Sequence, residues 1–408
     1  PLLFALVLEK NNLKEIQRDV FDELRNLDRL NLDDNKLVIL KNENFVNLKR
    51  LKYIFLGRNQ IEELEDNSFK GLISLLELHL NHNKLKYLSR HLFNDLTNLI
   101  YLNLYSNQIE AIDSMAFLNL KKVRILHLRF NKIIKIESGL FNLSKSLEIM
   151  YISNNQFKDL DFYTFYGLEQ CLQLLYVTNN NIEYLNRNTF KMLRSLKELY
   201  LTYNKIFFLD DDCFNGLVQL ETLYLDNNKI FYLNNEAFIQ TNNLKNLNLQ
   251  NNNIGTLKSN TFSYLKNLVI LTLSGNRIDK IEQNAFENLP FLEEIDLIDN
   301  YIINFENDFK NLLNLKRFYG IFNLIQKVKE NLFVNCLNLT MINVNRNQIY
   351  IFEKNWFVGE HNKISEIYAS ENKLGTIKGY YFVIFKNLEI LDLNKNKISS
   401  IENNAFFN

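Results

Sequence analysis

The stretch that decides the fold is LIYLNLYSNQI, residues 99–109, and its counterpart LETLYLDNNKI, residues 220–230. Both follow the pattern LxxLxLxxNxI, which recurs about every 24 residues along the 408-residue chain. Apolar residues at alternating positions predict a short strand with one face directed inward. A period of this length predicts a solenoid, in which each repeat buries its apolar face against its neighbours.

Two residue types recur once in each of about 17 repeats. Asparagine recurs from Asn11 to Asn396, and phenylalanine recurs from Phe21 to Phe406. The asparagine follows the strand, where the chain turns and buried backbone groups need both a donor and an acceptor. The phenylalanine lies in the polar returning segment, where stacked rings can fill the core. We interpret both ladders as structural.

The phenylalanine spine together with the strand pattern resembles the typical leucine-rich repeat of extracellular animal receptors. The chain is similar over its whole length to the ectodomains of Toll and Toll-like receptors and to insect proteins such as chaoptin and connectin. The resemblance implies an α/β leucine-rich repeat solenoid, a horseshoe of about 17 repeats of 24 residues. A parallel β-sheet would line its concave face, and irregular or short helical turns its convex face.

The expected domain organisation is one solenoid over residues 1–408. The resemblance implies Cys-rich caps at both ends, and the sequence shows none. A solenoid with open ends exposes its core. We therefore expect a fragment, or a chain whose caps were trimmed or never assembled.

Composition narrows the possible partners. The 47 Lys and Arg residues balance 47 Asp and Glu residues, which disfavours nucleic acid because phosphate binding needs an excess of clustered cations. No apolar run approaches the roughly 18 residues of a membrane span, so membrane insertion by this segment is not expected. The three cysteines do not indicate a redox compartment.

The compartment is indicated by the resemblance, which implies an extracellular or cell-surface location. Two sequons, Asn142-Leu-Ser144 and Asn338-Leu-Thr340, make Asn142 and Asn338 candidate N-glycosylation sites. In a chain this rich in asparagine two such matches are weak evidence.

Tyrosines form the first candidate binding surface. Strand residues between the inward leucines face outward, and the central outward position holds tyrosine in four consecutive repeats. Large, rigid, amphipathic tyrosines are frequent at binding hot spots. The alternative is that aromatic residues simply favour strands and stack along them. The candidates are Tyr151, Tyr176, Tyr200 and Tyr224, together with Tyr203 from a neighbouring outward position. Other aromatic residues at neighbouring outward positions are Tyr53, Tyr101, Tyr105 and Phe130.

A second candidate surface follows the asparagine turn in three adjacent repeats. Aromatic residues stand there between two inward apolar positions that elsewhere flank charged residues, as in Ile61-Glu-Glu-Leu64. They are expected to face solvent along one lateral edge, and an exposed apolar patch usually marks an interface. The alternative is local packing of the rings on one another. The candidates are Tyr184, Phe207, Phe208, Phe231 and Tyr232.

An irregular repeat is the third candidate. The unit that begins at residue 292 is one residue shorter than 24, and Gly320 replaces an inward leucine in the next strand. This substitution predicts a space or a local bend. The outward Arg317, Tyr319 and Phe322 could form a secondary site there, or the repeat could simply have decayed.

Catalysis and metal binding have little support in the sequence. His79 and His127 lie two strands apart on one face, about 10 Å at the usual strand spacing, which is too far for one shared zinc ion. The remaining histidines, His82, His91 and His361, form no ligand motif. We expect no catalytic residues, no metal and no cofactor.

The functional expectation is therefore a non-enzymatic, extracellular protein-recognition module. It would be a receptor ectodomain that binds a protein ligand or co-receptor and that could dimerise, in innate-immune or developmental signalling. The alternatives are a homophilic cell-adhesion protein of the chaoptin and connectin type, or a secreted immune scaffold. The sequence does not identify the ligand.

Overall fold

The computed structural model describes residues 2–305, 309–357 and 363–406. The chain divides into two compact units, residues 1–204 and residues 205–408. Each unit is a stack of the predicted repeats, with one three-residue strand at the outward face of every repeat.

The strands of the first unit pair in parallel, and each residue pairs with the residue one repeat further along. Ala5 lies opposite Arg29, and Ile125 lies opposite Ile149. In each strand from the second repeat onward the middle residue is buried, because the pleat turns it toward the apolar interior. The strands are Ala5–Val7, Arg29–Asn31, Tyr53–Phe55, Glu77–His79, Tyr101–Asn103, Ile125–His127, Ile149–Tyr151, Leu174–Tyr176 and Glu198–Tyr200.

The second unit repeats this arrangement in parallel register, with Thr222 opposite Asn246 and Glu366 opposite Ile390. The predicted strand pattern is therefore confirmed in both units. Its strands are Thr222–Tyr224, Asn246–Asn248, Ile270–Thr272, Glu294–Asp296, Arg317–Tyr319, Met341–Asn343, Glu366–Tyr368 and Ile390–Asp392.

The phenylalanine ladder fills the returning side of each repeat. Phe45 and Phe69 are buried with their ring centroids 6.4 Å apart, and Phe69 and Phe93 are 6.1 Å apart. In the second unit the Phe286 and Phe309 rings are 5.4 Å apart. The structural interpretation of this ladder is confirmed.

The asparagine ladder joins neighbouring repeats through buried hydrogen bonds. The Asn107 amide donates to the carbonyls of Leu80 and Leu104 at 2.9 and 3.2 Å. Its carbonyl oxygen accepts the Leu85 backbone N–H at 3.1 Å. One side chain thus satisfies backbone groups of its own repeat and of the preceding one, as the sequence predicts.

Two-residue strands on the lateral edge were not predicted. They follow the asparagine turn and pair only in twos, for example Tyr87–Leu88 with Ala111–Ile112. The others are Ile39–Leu40, Glu63–Leu64, Tyr184–Leu185, Phe208–Leu209, Thr256–Leu257, Lys280–Ile281, Lys327–Val328, Ile351–Phe352, Thr376–Ile377 and Ser400–Ile401. The returning segments are turns, with a 3-10 helix at Asn235–Phe238.

The irregular repeat keeps a filled core. A Cβ built on Gly320 would lie 3.1 Å from Cε1 of Phe318. The buried Phe318 ring occupies this space and packs 4.8 Å from the Phe309 ring centroid and 5.3 Å from that of Phe333. A large residue at one inward position therefore compensates for the glycine at the next.

The cysteines are unpaired thiols: Cys171 is half-buried, and Cys213 and Cys336 are buried. Cys336 takes an inward leucine position as predicted, and its Sγ donates to the Phe309 carbonyl at 2.9 Å. Burial raises the pKa of this thiol to about 12.

Candidate functional site

Aromatic rings form a continuous row on the outward face of the first unit, which we call the inner row. Parallel strands lie about 4.8 Å apart, which suits ring stacking between identical positions. The centroids of Tyr151 and Tyr176 are 4.8 Å apart, and those of Tyr176 and Tyr200 are 4.3 Å apart. The inner row consists of Phe55, His79, Tyr101, His127, Tyr151, Tyr176 and Tyr200.

The inner row is longer than the tyrosine pattern alone predicted. The His127 ring stacks on Tyr151 with centroids 4.2 Å apart. In the repeat before that of His127, the equivalent position holds Asn103, which has no ring. Tyr101, two residues earlier in the same strand, fills the gap and contacts both His79 and His127. The signal was present in the sequence, because histidine and phenylalanine at the same position can stack as tyrosine does. Tyr224 belongs to the second unit, where it is half-buried.

The contacts between neighbouring rings of the inner row fix the environment of their polar groups. The Tyr200 hydroxyl donates to the Glu198 carboxylate, and burial together with this carboxylate raises the pKa of Tyr200. Desolvation, with help from Arg129 and His79, lowers the pKa of His127 from 6.5 to about 4. The middle of the inner row is therefore uncharged at neutral pH.

Tyr203 lies at a position with an unusual backbone. The residue before each ladder asparagine has a positive φ throughout, 54° at Tyr203 and 57° at Phe130. This left-handed region favours glycine, asparagine and aspartate and disfavours bulky side chains. Tyr203 is 58% exposed and Phe130 is 44% exposed. The fold thus holds two aromatic side chains of the first unit outward at positions that sterics would give to smaller residues.

A short outer row of rings accompanies the inner row. His82 contacts Tyr105 edge-to-face with centroids 5.1 Å apart, and Tyr105 contacts Phe130 in the same way at 5.3 Å. We call His82, Tyr105 and Phe130 the outer row. The sequence pattern had placed Tyr105 and Phe130 on the outward face without indicating that they meet.

The aromatic residues of the lateral edge are exposed. In the second unit we define the edge cluster as Phe207, Phe208, Phe231 and Tyr232, which are 42%, 44%, 56% and 43% exposed. Among the residues that the structure describes, no ring contact joins these four side chains to one another. Tyr184, at the corresponding position in the first unit, is 36% exposed.

The two sequons differ in their surroundings. Asn142 is exposed in a turn next to the phenylalanine ladder. Asn338 is half-buried, and its amide donates to the Leu313 carbonyl at 2.9 Å while its oxygen accepts Lys363 Nζ at 2.7 Å.

The described ranges contain neither a cluster of metal ligands nor a membrane-spanning helix. Across residues 2–305, 309–357 and 363–406, no three His, Cys, Asp or Glu side chains come together as a metal site would require. No helix in those ranges has the length and apolar character to cross a membrane. His361 lies outside the described residues.

Family models match most of the sequence. The model described as "Leucine rich repeat" matches residues 1–61, 25–85, 49–109, 74–133, 170–230, 219–278 and 266–319. The model described as "BspA type Leucine rich repeat region (6 copies)" matches residues 306–408. The chain belongs to the leucine-rich repeat family. A search of curated protein sequences gave no match for this leucine-rich repeat protein.

Solved leucine-rich repeat structures share the fold. The Toll chain of the Drosophila Toll–Spatzle complex is 24% identical, with a TM-score of 0.79 over 91% of this chain and 51% of the Toll chain. A leucine-rich repeat protein of Leptospira interrogans is 24% identical, with a TM-score of 0.71 and 95% of both chains covered. The chain thus spans about half of the Toll chain. The predicted resemblance to Toll is confirmed at the level of the fold.

A plant leucine-rich repeat ectodomain gives a further match. It belongs to the membrane receptor kinase GASSHO1/SCHENGEN3 of Arabidopsis thaliana, in complex with CASPARIAN STRIP INTEGRITY FACTOR 2. The identity is 22% and the TM-score is 0.63, over 96% of this chain and 47% of the plant chain. Receptor-like, protein-binding modules therefore share this solenoid.

Proposed function

We propose that this leucine-rich repeat chain is an extracellular, non-enzymatic recognition module that binds a protein ligand or co-receptor through exposed aromatic side chains. The observation that carries the proposal is the edge cluster, in which two neighbouring repeats expose four aromatic rings. Large apolar side chains that are exposed together on one edge usually mark a surface that a partner covers. We propose that the chain binds this ligand without a cofactor.

The tyrosine-rich outward face of the first unit supports the same function. Tyr151, Tyr176 and Tyr200 are held rigid by stacking, so they lose little side-chain entropy when a partner covers them. Tyr203 adds a protruding ring in that unit, and Tyr184 adds one at its lateral edge. In the second unit Tyr224 is the outward tyrosine next to the edge cluster in sequence.

The comparisons support a role at the cell surface. Toll is described in complex with Spatzle as a hub of development and innate immunity, and the plant ectodomain in complex with CASPARIAN STRIP INTEGRITY FACTOR 2. By analogy we propose that this chain acts in receptor signalling, with N-glycans at Asn142 and Asn338. Homophilic adhesion remains the competing proposal.

The test replaces single rings of the edge cluster by a charge. The whole chain, fused to an antibody Fc segment, would be screened against arrayed secreted and cell-surface proteins of its source organism. For the partners found, we expect Phe208→Asp and Tyr232→Asp each to weaken binding at least about tenfold, because a buried aromatic anchor at an interface contributes more than 1.4 kcal/mol. Both side chains are exposed, so thermal unfolding should change little.

Tyr87→Asp is the matched control. Tyr87 occupies the same repeat position as Phe208 and is 53% exposed, but it belongs to the first unit, whereas Phe208 belongs to the second. This variant should bind as the wild type does. Full affinity of both Phe208→Asp and Tyr232→Asp for every partner would remove the edge cluster from the binding surface.

A further inference from the structure

Arg129 lies between the two aromatic rows on the outward face of the first unit. In the sequence it separates His127 of the inner row from Phe130 of the outer row. Its guanidinium carbon is 5.9 Å from the centroid of the Phe130 ring. Its charge also lowers the pKa values of the His127 imidazole and of the Tyr151 hydroxyl. The guanidinium therefore lies against a ring of the outer row and acts electrostatically on two groups of the inner row.

Arg129 lacks a partner for its charge and for one of its donors. Its Nε is shielded from solvent and has no hydrogen-bond acceptor, and no carboxylate of the described residues forms an ion pair with it. A buried donor without an acceptor is unfavourable, and natural proteins rarely keep one without a reason. The position points to an acceptor that arrives with a ligand.

Arg58 and Arg29, on the same face, have different surroundings. Arg58 pairs with Asp34 at 3.8 Å. Arg29 lies against the rings of Tyr53 and Phe55, at 5.4 and 5.3 Å from their centroids. Arg129 instead has the uncharged His127 as its neighbour in the strand, so nothing in the inner row offsets its charge.

The exposed ring of Phe130 lies next to Arg129 on the outward face. Its φ of 57° is the left-handed value that precedes every ladder asparagine, so the repeat itself holds this bulky side chain outward. Together with Tyr105, Phe130 forms an apolar wall beside the guanidinium.

We propose that Arg129 is the anchor for a carboxylate side chain of the protein partner, with Tyr105 and Phe130 covering the apolar part of the same partner segment. This inference rests on the proposed function, because it names the chemistry of the segment that the outward face receives. A planar guanidinium can donate two parallel hydrogen bonds to a carboxylate, and the positive edges of the surrounding rings tolerate the anion.

A carboxylate fits better than a polyanion. Sulfated sugars and nucleic acids present many charges and need several free cations along their path. On this face Arg58 is already paired with Asp34, and the guanidinium groups of Arg29 and Arg129 lie against different rings. A single monovalent group beside apolar surface, such as a glutamate or aspartate next to an aromatic residue, matches what the site provides.

The test measures binding of a defined probe to the whole chain. A fluorescein-labelled octapeptide of alternating glutamate and tyrosine would be titrated by fluorescence anisotropy against the wild type, Arg129→Gln and Arg129→Lys. We expect Arg129→Gln to weaken binding at least about tenfold, and Arg129→Lys to lie between, because lysine keeps the charge but loses the fork. A peptide with glutamine in place of glutamate should not distinguish the three proteins.

Arg124→Gln is the matched control, since Arg124 is exposed and already forms two bonds to Glu148, at 2.9 and 2.7 Å. It should leave binding of the acidic peptide unchanged. Equal affinity of the wild type and Arg129→Gln for the acidic peptide, including no measurable binding by either, overturns the proposal. So does stronger discrimination by a heparin octasaccharide or a single-stranded oligonucleotide. The edge-cluster variants do not involve Arg129, so either proposal can fail alone.

Discussion

At the scale of single residues, the same repeat position holds a polar side chain in most repeats and an exposed aromatic ring in others. The ladder asparagines are uniform because each must donate to and accept from buried backbone, as Asn107 does with Leu80 and Leu85. The side chain of the residue just before the asparagine is under no such requirement, although the backbone of that residue is left-handed in every repeat. Variation is therefore tolerated there, and Phe130 and Tyr203 show how an aromatic ring can be displayed from it.

His127 gives a prediction at this scale. Its pKa lies near 4 in the fold and near 6.5 in an unfolded chain, so the unfolded chain takes up the proton first as the pH falls. The stability that His127 contributes is complete above about pH 6.5 and is lost as the pH falls toward 4. After allowance for its partial exposure, we expect a loss of about 2 kcal/mol in unfolding free energy. His127→Phe should keep the stack and remove this part of the pH dependence.

Urea unfolding of the wild type and His127→Phe at pH 7 and pH 4.5 would measure the difference. Carboxylates titrate over the same range, so the informative quantity is the change between the two proteins and not the absolute loss. His91→Asn, at an exposed position, serves as the control for removing one imidazole. An identical pH dependence of wild type and His127→Phe would contradict the burial of His127 in the inner row.

At the scale of the element, the strands could be predicted and the lateral edge could not. Strand residues alternate between inward leucine and outward side chains, so a period of two fixes both the strand and its exposed face. The two-residue strands contain too few residues for any period, and their pairing depends on how neighbouring turns align. The repeat pattern predicted which aromatic side chains lie on the lateral edge. It did not predict that the four rings of the edge cluster make no contact with one another, because that depends on how the neighbouring turns align.

The site was predicted in the same uneven way. The strand register places Tyr151 and Tyr176 at equivalent positions, so their stacking follows from sequence alone. Tyr101 bridges the row from a different position, two residues before Asn103, and the repeat pattern does not indicate this contact. The missing acceptor of Arg129 is a three-dimensional property of its surroundings, and no spacing in the sequence encodes it.

Phe318 and Gly320 test how one strand exchanges volume between two inward positions. Phe318→Leu alone should cost about 1–2 kcal/mol through a cavity, and Gly320→Leu alone about 1–3 kcal/mol through contact with the Phe318 ring. The double variant restores leucine at both positions, so we expect it to be more stable than the sum of the single costs by about 1–3 kcal/mol. A double-mutant cycle from urea unfolding measures this coupling. Simple additivity would show that the two sites do not share their space.

At the scale of the whole molecule, acidic and basic side chains are equal in number, and many of them pair locally between neighbouring repeats. Side chains one repeat apart meet at the surface, as with Lys245 and Glu221 at 2.9 Å and Lys378 and Glu402 at 2.8 Å. Such exposed pairs contribute little to stability. Their consequence is that the surface carries no dominant field to steer a highly charged partner. In the function that we propose, recognition depends on local features, namely the exposed aromatic rings and Arg129.

The oligomeric state separates the two competing functions. A receptor-type module that binds a different protein should be monomeric in the absence of that protein. Light scattering should then give a mass of 48.6 kDa at protein concentrations from about 1 to 100 μM. A homophilic adhesion protein should instead form symmetric pairs as concentration rises, since its own surface is the partner. We expect the monomer, because stable homodimer interfaces are larger and more apolar than the surface of the edge cluster, which comes from two repeats. A concentration-dependent dimer that Phe208→Asp abolishes would reverse this expectation and assign the edge cluster to self-association.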